Sequence, residues 1–233
     1  MFLNHYLAQA GICSRRKAVE LIKDELVTVN GVIVSEPTYK VQPKDSVKFN
    51  GKLIKVEEKT YILLNKPKGY VSSTDDEFGR KTIFELIPLA QKKRLFSIGR
   101  LDRDTTGLIV LTNDGQLAQD LGHPRHGIQK VYEVTLDKPL LSEHKSMIKK
   151  GIRLRDGLIK VDSLKDDPKN KAIVFVTLHS GKKRVIRRLF AELDYDVKKL
   201  DRIRFAGLTK KGLKPGMWRL LSKDEVSNLL KKS

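Results

Sequence analysis

Residues 97–115 read SIGRLDRDTTGLIVLTNDG, and this stretch predicts a loop that carries Asp102, followed by a short apolar strand. The strand, Gly107 to Leu111, is indicated by a continuous apolar run bounded by polar residues. The loop is rich in arginine, and nearby positive charge keeps a carboxylate ionised. Spacing alone favours the plainer interpretation, in which Asp102 pairs with Arg100 or Arg103 in a surface loop.

The chain is strongly basic, with 47 Lys and Arg residues against 28 Asp and Glu residues among 233, a formal net charge of +19. Such an excess indicates a polyanionic partner, either nucleic acid or an anionic membrane surface. No apolar run approaches the ~18–20 residues needed to span a bilayer, and no basic helix carries the large exposed apolar residues typical of membrane-surface helices. We therefore expect a nucleic-acid partner and no membrane.

The compartment is indicated by two further features of the sequence. The first residues lack the basic segment and the long apolar stretch of a signal peptide. Cys13 is the single cysteine, which excludes a disulfide within the chain and is typical of a reducing compartment. We expect a cytoplasmic protein that is a monomer.

Residues 1–56 are predicted to form a small module of two helices and short strands. The spacing of apolar residues from Leu3 to Leu7 is helical, and Ser14 can cap a second helix. Asn30-Gly31 lies between two β-branched runs and predicts a hairpin, because both residues tolerate positive φ in a type I′ turn. The second helix and the strands are predicted at Arg15–Lys23, Val27–Val29, Val32–Val34, Val47–Phe49 and Leu53–Val56. The charged residues 57–60 are predicted to be a linker.

A cluster of cations, Arg15, Arg16 and Lys17, begins the predicted second helix. Cations at a helix N-terminus oppose the helix dipole, so their presence there favours a function over simple solvation. The free amides of a helix start already attract anions, and phosphate contacts dominate nucleic-acid affinity. We expect these three residues to bind RNA phosphates.

Residues 61–233 are predicted to form a larger domain in which strands and helices interleave without a regular βαβ period. The predicted strands are Tyr61–Leu64, Gly107–Leu111, Val131–Leu136, Ala172–Leu178 and Lys198–Phe205. The predicted helices are Thr82–Ile87, Gly115–Leu121, Glu143–Lys149, Lys183–Leu193 and Ser222–Leu230. This order predicts an α+β domain with a mostly antiparallel or mixed sheet flanked by helices.

No familiar cofactor motif occurs: there is no phosphate-binding glycine loop, dinucleotide fingerprint or Cys/His metal spacing. His123 and His126 are three residues apart, but they have no third ligand nearby in the sequence. We expect no metal and no cofactor.

The stretch from Gly99 to Leu108 resembles the catalytic motif of the RsuA/RluB branch of pseudouridine synthases, Gly-Arg-Leu-Asp, two residues, Thr, one residue, Gly-Leu, and every fixed position matches. The resemblance extends to LNKPKG at 64–69, Lys130-x-Tyr132 and GKKRVIRR at 181–188. Residues 11–31 resemble an RNA-binding domain with an αL motif shared with a small-subunit ribosomal protein. Together they cover nearly the whole chain, and they imply a cofactor-free isomerisation of uridine to pseudouridine in ribosomal RNA.

The resemblance implies three catalytic residues. Asp102 matches the catalytic aspartate, Tyr132 the tyrosine that stacks on the target base and assists proton removal from its C5, and Arg187 the basic residue that pairs with the aspartate. Arg100 matches the arginine that helps to hold the target nucleotide out of the RNA helix. Lys66 matches a mainly structural position. The RNA-binding residues are expected to be Arg15, Arg16, Lys17, Arg100, Arg103, Lys130, Arg184 and Arg188.

Two positions depart from the pattern: Ser180 stands where an acidic residue is usual, and Val185 where Gln is frequent. The arginines of residues 184–190 are more similar to large-subunit-modifying members, which favours a uridine in 23S rRNA. The alternatives are the same reaction on a small-subunit rRNA or tRNA uridine, or a non-catalytic RNA-binding factor in ribosome assembly.

Overall fold

The computed structural model describes residues 1–74, 76–122 and 127–231. His123 and His126, considered above as metal ligands, lie outside this part of the chain. The chain divides into two compact units. The first contains residues 1–60, 89–95 and 113–115, and the second contains residues 61–88, 96–112 and 116–233.

The first unit packs two helices against a small antiparallel sheet. Its elements are α1 (Leu3–Gln9), α2 (Arg15–Lys23), β1 (Val27–Val29), β2 (Val32–Ile33), β3 (Val47–Phe49) and β4 (Lys52–Leu53). The sheet order is β2-β1-β3-β4. Asn30 and Gly31 have φ of +53° and +86°, which confirms the predicted hairpin turn. The strand predicted over Leu53–Val56 is wrong beyond Leu53, because β4 ends there after pairing with β3.

The core of the first unit follows the two periodicities of its elements. Leu3 and Leu7 of α1 are four residues apart and fully buried, as are Ala18 and Ile22 of α2. The alternate residues of β1 face them. Each fully buried Leu, Ile or Val side chain contributes about 1.5–3 kcal/mol to stability. The helix start is capped as predicted, because the Ser14 hydroxyl accepts a hydrogen bond from the Lys17 amide at 3.2 Å.

Residues 57–60 are hydrogen-bonded within the first unit. The Glu57 amide donates to the Gln9 carbonyl at 3.0 Å, and the Thr60 amide donates to Asn113 Oδ1 at 2.8 Å. The Lys59 ammonium lies 2.8 Å from the Asp114 carboxylate. These contacts hold both ends of the charged segment in place.

Among the described residues, the second unit contains one main mixed sheet and a separate sheet of two short antiparallel strands. Its strands are β5 (Tyr61–Lys66), β6 (Phe96–Ile98), β7 (Thr106–Thr112), β8 (Lys130–Leu136), β9 (Ile152–Leu154), β10 (Gly157–Ile159), β11 (Ser163–Asp166), β12 (Ile173–Leu178), β13 (Val197–Phe205), β14 (Leu208–Thr209) and β15 (Trp218–Leu220). Among the described residues the main sheet has the order β11-β12-β8-β13-β7-β5-β15, with β14 on β13 and β6 on β7. The β13–β7 pair is parallel, whereas β8 and β5 flank these two strands antiparallel.

The neighbouring strands β5 and β7 differ in burial from the neighbouring strands β8 and β12. From Ile62 to Lys66 in β5 and from Gly107 to Thr112 in β7 every residue is buried, whereas β8 and β12 bury alternate residues. A continuous apolar run therefore marks strands covered on both faces, and alternation marks strands covered on one. The position of β7 in the middle of the sheet fixes the end of the Asp102 loop that precedes it.

The helices of the second unit agree with the prediction in four of five cases. They are α3 (Gly115–Gly122), α4 (Ser142–Lys150), α5 (Val185–Ala191) and α6 (Lys223–Leu230). The helix predicted over Thr82–Ile87 is wrong: residues Ile83–Leu86 form a short 3-10 turn, closed by a capping box from Thr82 to Glu85. The helix predicted from Lys183 begins two residues later, because Arg184 adopts the left-handed conformation with φ +51°. Within the described residues, no helix is long and apolar enough to cross a membrane.

Candidate active site

The loop that carries Asp102 runs from β6 to β7 and is held from beneath by a buried lysine. The Lys66 ammonium is fully buried and donates to the carbonyls of Pro67 at 3.1 Å, Arg103 at 3.3 Å and Thr105 at 2.7 Å. Three acceptors match the three donors of an ammonium. Burial lowers the pKa of Lys66 to about 8, against the opposing charges of Asp104 and Asp102.

Two serines hold the other half of the loop. Ser72 Oγ donates to the Leu101 carbonyl at 3.0 Å and accepts from the Leu101 amide at 3.2 Å. Ser97 Oγ donates to the Gly99 carbonyl at 2.9 Å, and Gly99 turns the chain with φ +70°. The backbone is therefore hydrogen-bonded on both sides of Asp102, which fixes the position of the main chain that carries its carboxylate.

Asp102 and Tyr132 line one cavity of about 310 Å³ in the second unit. Tyr132 is 9% exposed and projects from β8. The charged residues that line the cavity with Asp102 are cationic: Arg100, Lys130, Lys182, Lys183, Arg184 and Arg202. Among the described residues of the lining, Asp102 is thus the one carboxylate in a cationic surface.

Gly107 determines how closely β7 and β13 approach behind this cavity. A Cβ atom there would lie 2.4 Å from the Arg202 carbonyl oxygen and 2.5 Å from the Arg202 amide nitrogen, and its φ is +110°. Glycine is therefore required by both space and conformation. The close approach places Arg202 in register with Gly107 on one side and with Tyr132 on the other.

The predicted ion pair between Arg187 and Asp102 is wrong, because Arg187 pairs with a different carboxylate of the same loop. Arg187 Nη2 lies 2.9 Å from Asp104 Oδ2, and Nη1 donates to the Val197 carbonyl at 2.7 Å. The α5 helix places Arg187 outside the residues that line the cavity. Arg187 therefore ties α5 and β13 to the Asp102 loop through the second carboxylate of that loop.

The predicted RNA-binding cations of the second unit fall into three groups. Arg100, Lys130 and Arg184 line the cavity. Arg103 is exposed, lines a separate surface pocket and donates to the Gly69 carbonyl at 3.4 Å. Arg188 forms a paired contact with Asp156 at 2.9 and 3.0 Å, so its guanidinium already has a carboxylate partner.

Lys130 is a half-buried cation of the cavity. Its ammonium donates to the His179 carbonyl at 3.1 Å. Burial, assisted by the nearby Arg202 charge, lowers the pKa of Lys130 to about 8. A rise in pH through 8 therefore removes the positive charge of Lys130 from the cavity.

In the first unit, Arg15, Arg16 and Lys17 are exposed on the first turn of α2, as expected. Lys17 Nζ lies 2.7 Å from the exposed carboxylate of Glu20. Among the described residues, this helix start thus presents two guanidinium groups without a carboxylate partner and one paired ammonium.

Sequence reasoning missed Asp104 and Arg202. Asp104 occupies a variable position of the catalytic motif, so the motif gave no reason to select it. Arg202 lies inside a predicted strand, Lys198–Phe205, that has four other charged residues, and an arginine in such a strand usually faces solvent. The signal that identifies both is the three-dimensional contact.

Among the described residues, no group of three or more His, Cys, Asp and Glu side chains could hold a metal ion.

Comparison with known proteins identifies both parts of the chain. A family model described as RNA pseudouridylate synthase matches residues 60–192, more than half of the chain, and one described as S4 domain matches residues 3–47. Ribosomal large subunit pseudouridine synthase B of Bacillus subtilis (strain 168) is 40% identical over 234 residues, which cover 97% of this chain and 94% of that protein.

Two other matches agree. Dual-specificity RNA pseudouridine synthase RluF of Escherichia coli (strain K12) is 39% identical, with 98% of this chain and 78% of that protein covered. A crystal structure described as that of a pseudouridylate synthase matches with a TM-score of 0.68 at 33% identity, covering 98% of this chain and 99% of the other. The resemblance found in the motifs is confirmed. The chain therefore belongs to the RNA pseudouridylate synthase family and is an isomerase with an S4 domain at its N-terminal end.

Proposed function

We propose that this chain converts one uridine of 23S ribosomal RNA to pseudouridine, and that the Asp102 carboxylate carries the reaction without a cofactor. The observation that supports this most is the setting of Asp102, an acid on a hydrogen-bonded loop that faces a cavity otherwise charged by cations. A surface loop carboxylate would need neither the buried Lys66 beneath it nor the cavity in front of it.

The reaction needs no electrons from outside. The N1–C1′ bond of uridine breaks, the uracil rotates, and a C5–C1′ bond forms. C5 loses a proton and N1 gains one, so atoms and charge balance. The enzyme must extrude the base from the RNA stack, keep the detached base in place and supply a carboxylate at the junction of sugar and base.

We assign Asp102 to that junction, because it lines the cavity and its loop backbone is fixed. Tyr132 lines the same cavity and offers a ring face for the extruded base, a contact that is worth about 1–3 kcal/mol per base. Its hydroxyl is the group we propose for removing the C5 proton. Arg187, which contacts Asp104 rather than Asp102, acts as a positioning residue for the loop.

The remaining cations are proposed to hold RNA. Arg100, Lys130 and Arg184 line the cavity, where they can contact phosphates that flank the extruded nucleotide. Arg103 and Arg188 extend this surface, and Arg188 must exchange its contact with Asp156 to take part. We propose that residues 1–56 form an RNA-binding module, 57–60 a linker and 61–233 the catalytic domain. Arg15, Arg16 and Lys17 supply the phosphate contacts of that module.

The choice of 23S rRNA is supported by the arginines of residues 184–190 and by the name of the Bacillus subtilis relative, a large-subunit synthase. The RluF relative is described as dual-specific, so substrate range must be measured. We further propose that the protein acts as a monomer in the cytoplasm, where rRNA is found.

The test is to map pseudouridines in rRNA and tRNA from cells that lack the protein. We expect one 23S rRNA position to lose its pseudouridine and to regain it with the wild-type gene, but not with Asp102→Asn. Asp224→Asn, a matched change at an exposed carboxylate of α6, should restore it. Loss of a pseudouridine at a 16S rRNA or tRNA position instead would overturn the proposal that 23S rRNA is the substrate. A map without any lost pseudouridine would overturn the proposed activity on these RNAs.

A further inference from the structure

Arg202 is a buried cation in the cavity that the reaction described above does not use. It is 2% exposed and lies on β13, where its register partner on β8 is Tyr132. Side chains of directly paired residues leave the same face of a sheet and have Cβ atoms about 4.5–5.5 Å apart. Arg202 and Tyr132 therefore enter the cavity side by side.

The guanidinium is held at one end and lacks a partner at the other. Nε donates to the Leu108 carbonyl at 2.7 Å, and the guanidinium carbon lies 4.7 Å from the centre of the Phe205 ring. Nη2 is buried without a hydrogen-bond partner among the described residues. A buried donor left unpaired destabilises the protein, which indicates a group that is satisfied when a ligand fills the cavity.

A second orphaned group lines the same cavity. Thr105 is 2% exposed, and its hydroxyl is also buried without a partner among the described residues. A guanidinium donates only, whereas a hydroxyl both donates and accepts. This pair matches the edge of uracil, which presents carbonyl acceptors beside the N3–H donor.

The depth of Arg202 in the cavity favours a base over a phosphate as the ligand of its guanidinium. Arg100 and Arg184 are substantially exposed and are placed to meet phosphates, which stay on the RNA backbone near the cavity mouth. A base extruded from the stack enters furthest and is read by hydrogen bonds to its edge. The fully buried guanidinium beside Tyr132 is therefore suited to the base.

We propose that Arg202 Nη2 donates a hydrogen bond to a carbonyl oxygen of the extruded uracil, so that Arg202 is a base-recognition residue of this enzyme. The inference rests on the proposed function, because it takes a uridine as the ligand of the cavity. Contact with O4 would also reject cytosine, whose amino group at that position donates rather than accepts.

The test is an NMR titration of the full-length protein with uridine 5′-monophosphate and with ribose 5-phosphate, which lacks the base. We expect Arg202→Met to weaken binding of the nucleotide at least about tenfold, about 1.4 kcal/mol, and to leave ribose 5-phosphate unchanged. Arg204→Met is the matched control, since Arg204 is an exposed arginine of the same strand that does not line the cavity. It should change neither titration.

Two further measurements keep the proposal testable if Arg202→Met does not fold. Arg202→Lys keeps the charge but loses the planar guanidinium. It should weaken the binding of uridine 5′-monophosphate and leave the binding of ribose 5-phosphate unchanged. In the wild type, the Arg202 side-chain signals should shift with uridine 5′-monophosphate and not with ribose 5-phosphate. Titration with cytidine 5′-monophosphate identifies the acceptor. If wild type prefers the uridine nucleotide and Arg202→Lys loses that preference, the acceptor is O4. If the variant binds both nucleotides more weakly by the same factor, the acceptor is O2, which both bases have.

Three results would overturn the proposal. Equal weakening of nucleotide and ribose 5-phosphate would assign the contact to phosphate. Unchanged binding in both Arg202 variants would leave Arg202 a support for the strands. A wild type that binds the nucleotide no better than ribose 5-phosphate would mean that the cavity does not read the base. Pseudouridine formation by the wild type is measured separately on rRNA, so its absence would refute the proposed function whatever the titrations show.

Discussion

The helix start at residues 14–17 and the loop at residues 99–105 both present charged side chains to the proposed RNA, but they are built in opposite ways. Arg15 and Arg16 are exposed on one helical turn. The loop is hydrogen-bonded along its backbone, with Lys66 buried beneath it. Flexible exposed cations suit affinity, because any nearby phosphate satisfies them. A fixed carboxylate suits chemistry, in which a displacement of about 1 Å can cost about 10²-fold in rate.

The largest expected effect is that of Asp102→Asn, which keeps the shape of the side chain and removes its charge. Turnover should fall at least about 10³-fold, about 4 kcal/mol of barrier, while RNA affinity stays nearly unchanged. Pseudouridine formation and RNA binding are measured on the same preparation. Residual turnover within about tenfold of wild type, about 1.4 kcal/mol, would contradict the assignment.

The next effect concerns the contact between Arg187 and Asp104, 2.9 Å long. Arg187→Met and Asp104→Asn should each lower the saturating rate about 10²-fold, because the loop loses its tie to α5. The double variant should be no slower than either single one, since both remove the same contact. Arg219→Met, which breaks an ion pair with Glu225 far from the loop in sequence, should leave the saturating rate unchanged. Additive losses would show that the two residues act separately.

Tyr132→Phe tests which part of the tyrosine matters. The ring is kept, so stacking and RNA affinity should persist, whereas loss of the hydroxyl should slow the step that removes the C5 proton. General acid–base groups contribute about 10²–10⁴-fold, and we expect the lower end in single-turnover kinetics. A normal rate would restrict Tyr132 to stacking.

The helix start should affect affinity alone. Replacing Arg15, Arg16 and Lys17 by Gln should flatten the salt dependence of RNA binding by about two units, since each phosphate contact contributes about 0.7–0.9 to the log–log slope. Lys17 contributes least because Glu20 lies 2.7 Å from its ammonium. Replacing the exposed Lys149 and Lys150 of α4 by Gln is the control. An unchanged slope in the first variant would mean that the cluster does not touch phosphate.

The smallest effect is a pH dependence from Lys130, whose pKa is lowered to about 8 by burial. The ammonium is charged below that pKa and neutral above it, so RNA affinity should fall as pH rises through 8. The change should not exceed one phosphate contact. Lys130→Met should bind RNA at every pH about as the wild type does above pH 8, without the fall in affinity. Lys66 also has a pKa lowered to about 8, but it is fully buried beneath the loop. A fall in affinity that survives in Lys130→Met would assign the titration to Lys66 or to another group.

The sequence predicted most of the elements that form the helix start and the loop, and the features that it did not predict have physical reasons. Ser14, Asn30 and Gly31 have local conformational roles, so the cap of α2 and the hairpin that follows it could be predicted from neighbours in the chain. The continuous apolar run of β7 likewise predicted a strand. The short strands β9, β10, β14 and β15 escaped prediction because two or three residues carry no periodicity. Two features depend on contacts between residues more than 80 positions apart, and no local pattern encodes such contacts. They are the ion pair of Arg187 with Asp104 and the burial of Arg202 against the Leu108 carbonyl.

The central claim is that the loop supplies chemistry and the helix start supplies affinity. The most direct test is one RNA titration under single-turnover conditions, which gives the dissociation constant and the saturating rate from the same curve. It is run on wild type, Asp102→Asn and the variant with Gln at residues 15–17. We predict a lost rate with retained affinity for Asp102→Asn, and a retained rate with weakened affinity for the Gln variant. A collapse of the saturating rate with normal affinity in the Gln variant would contradict the account, because the helix start would then position the target uridine.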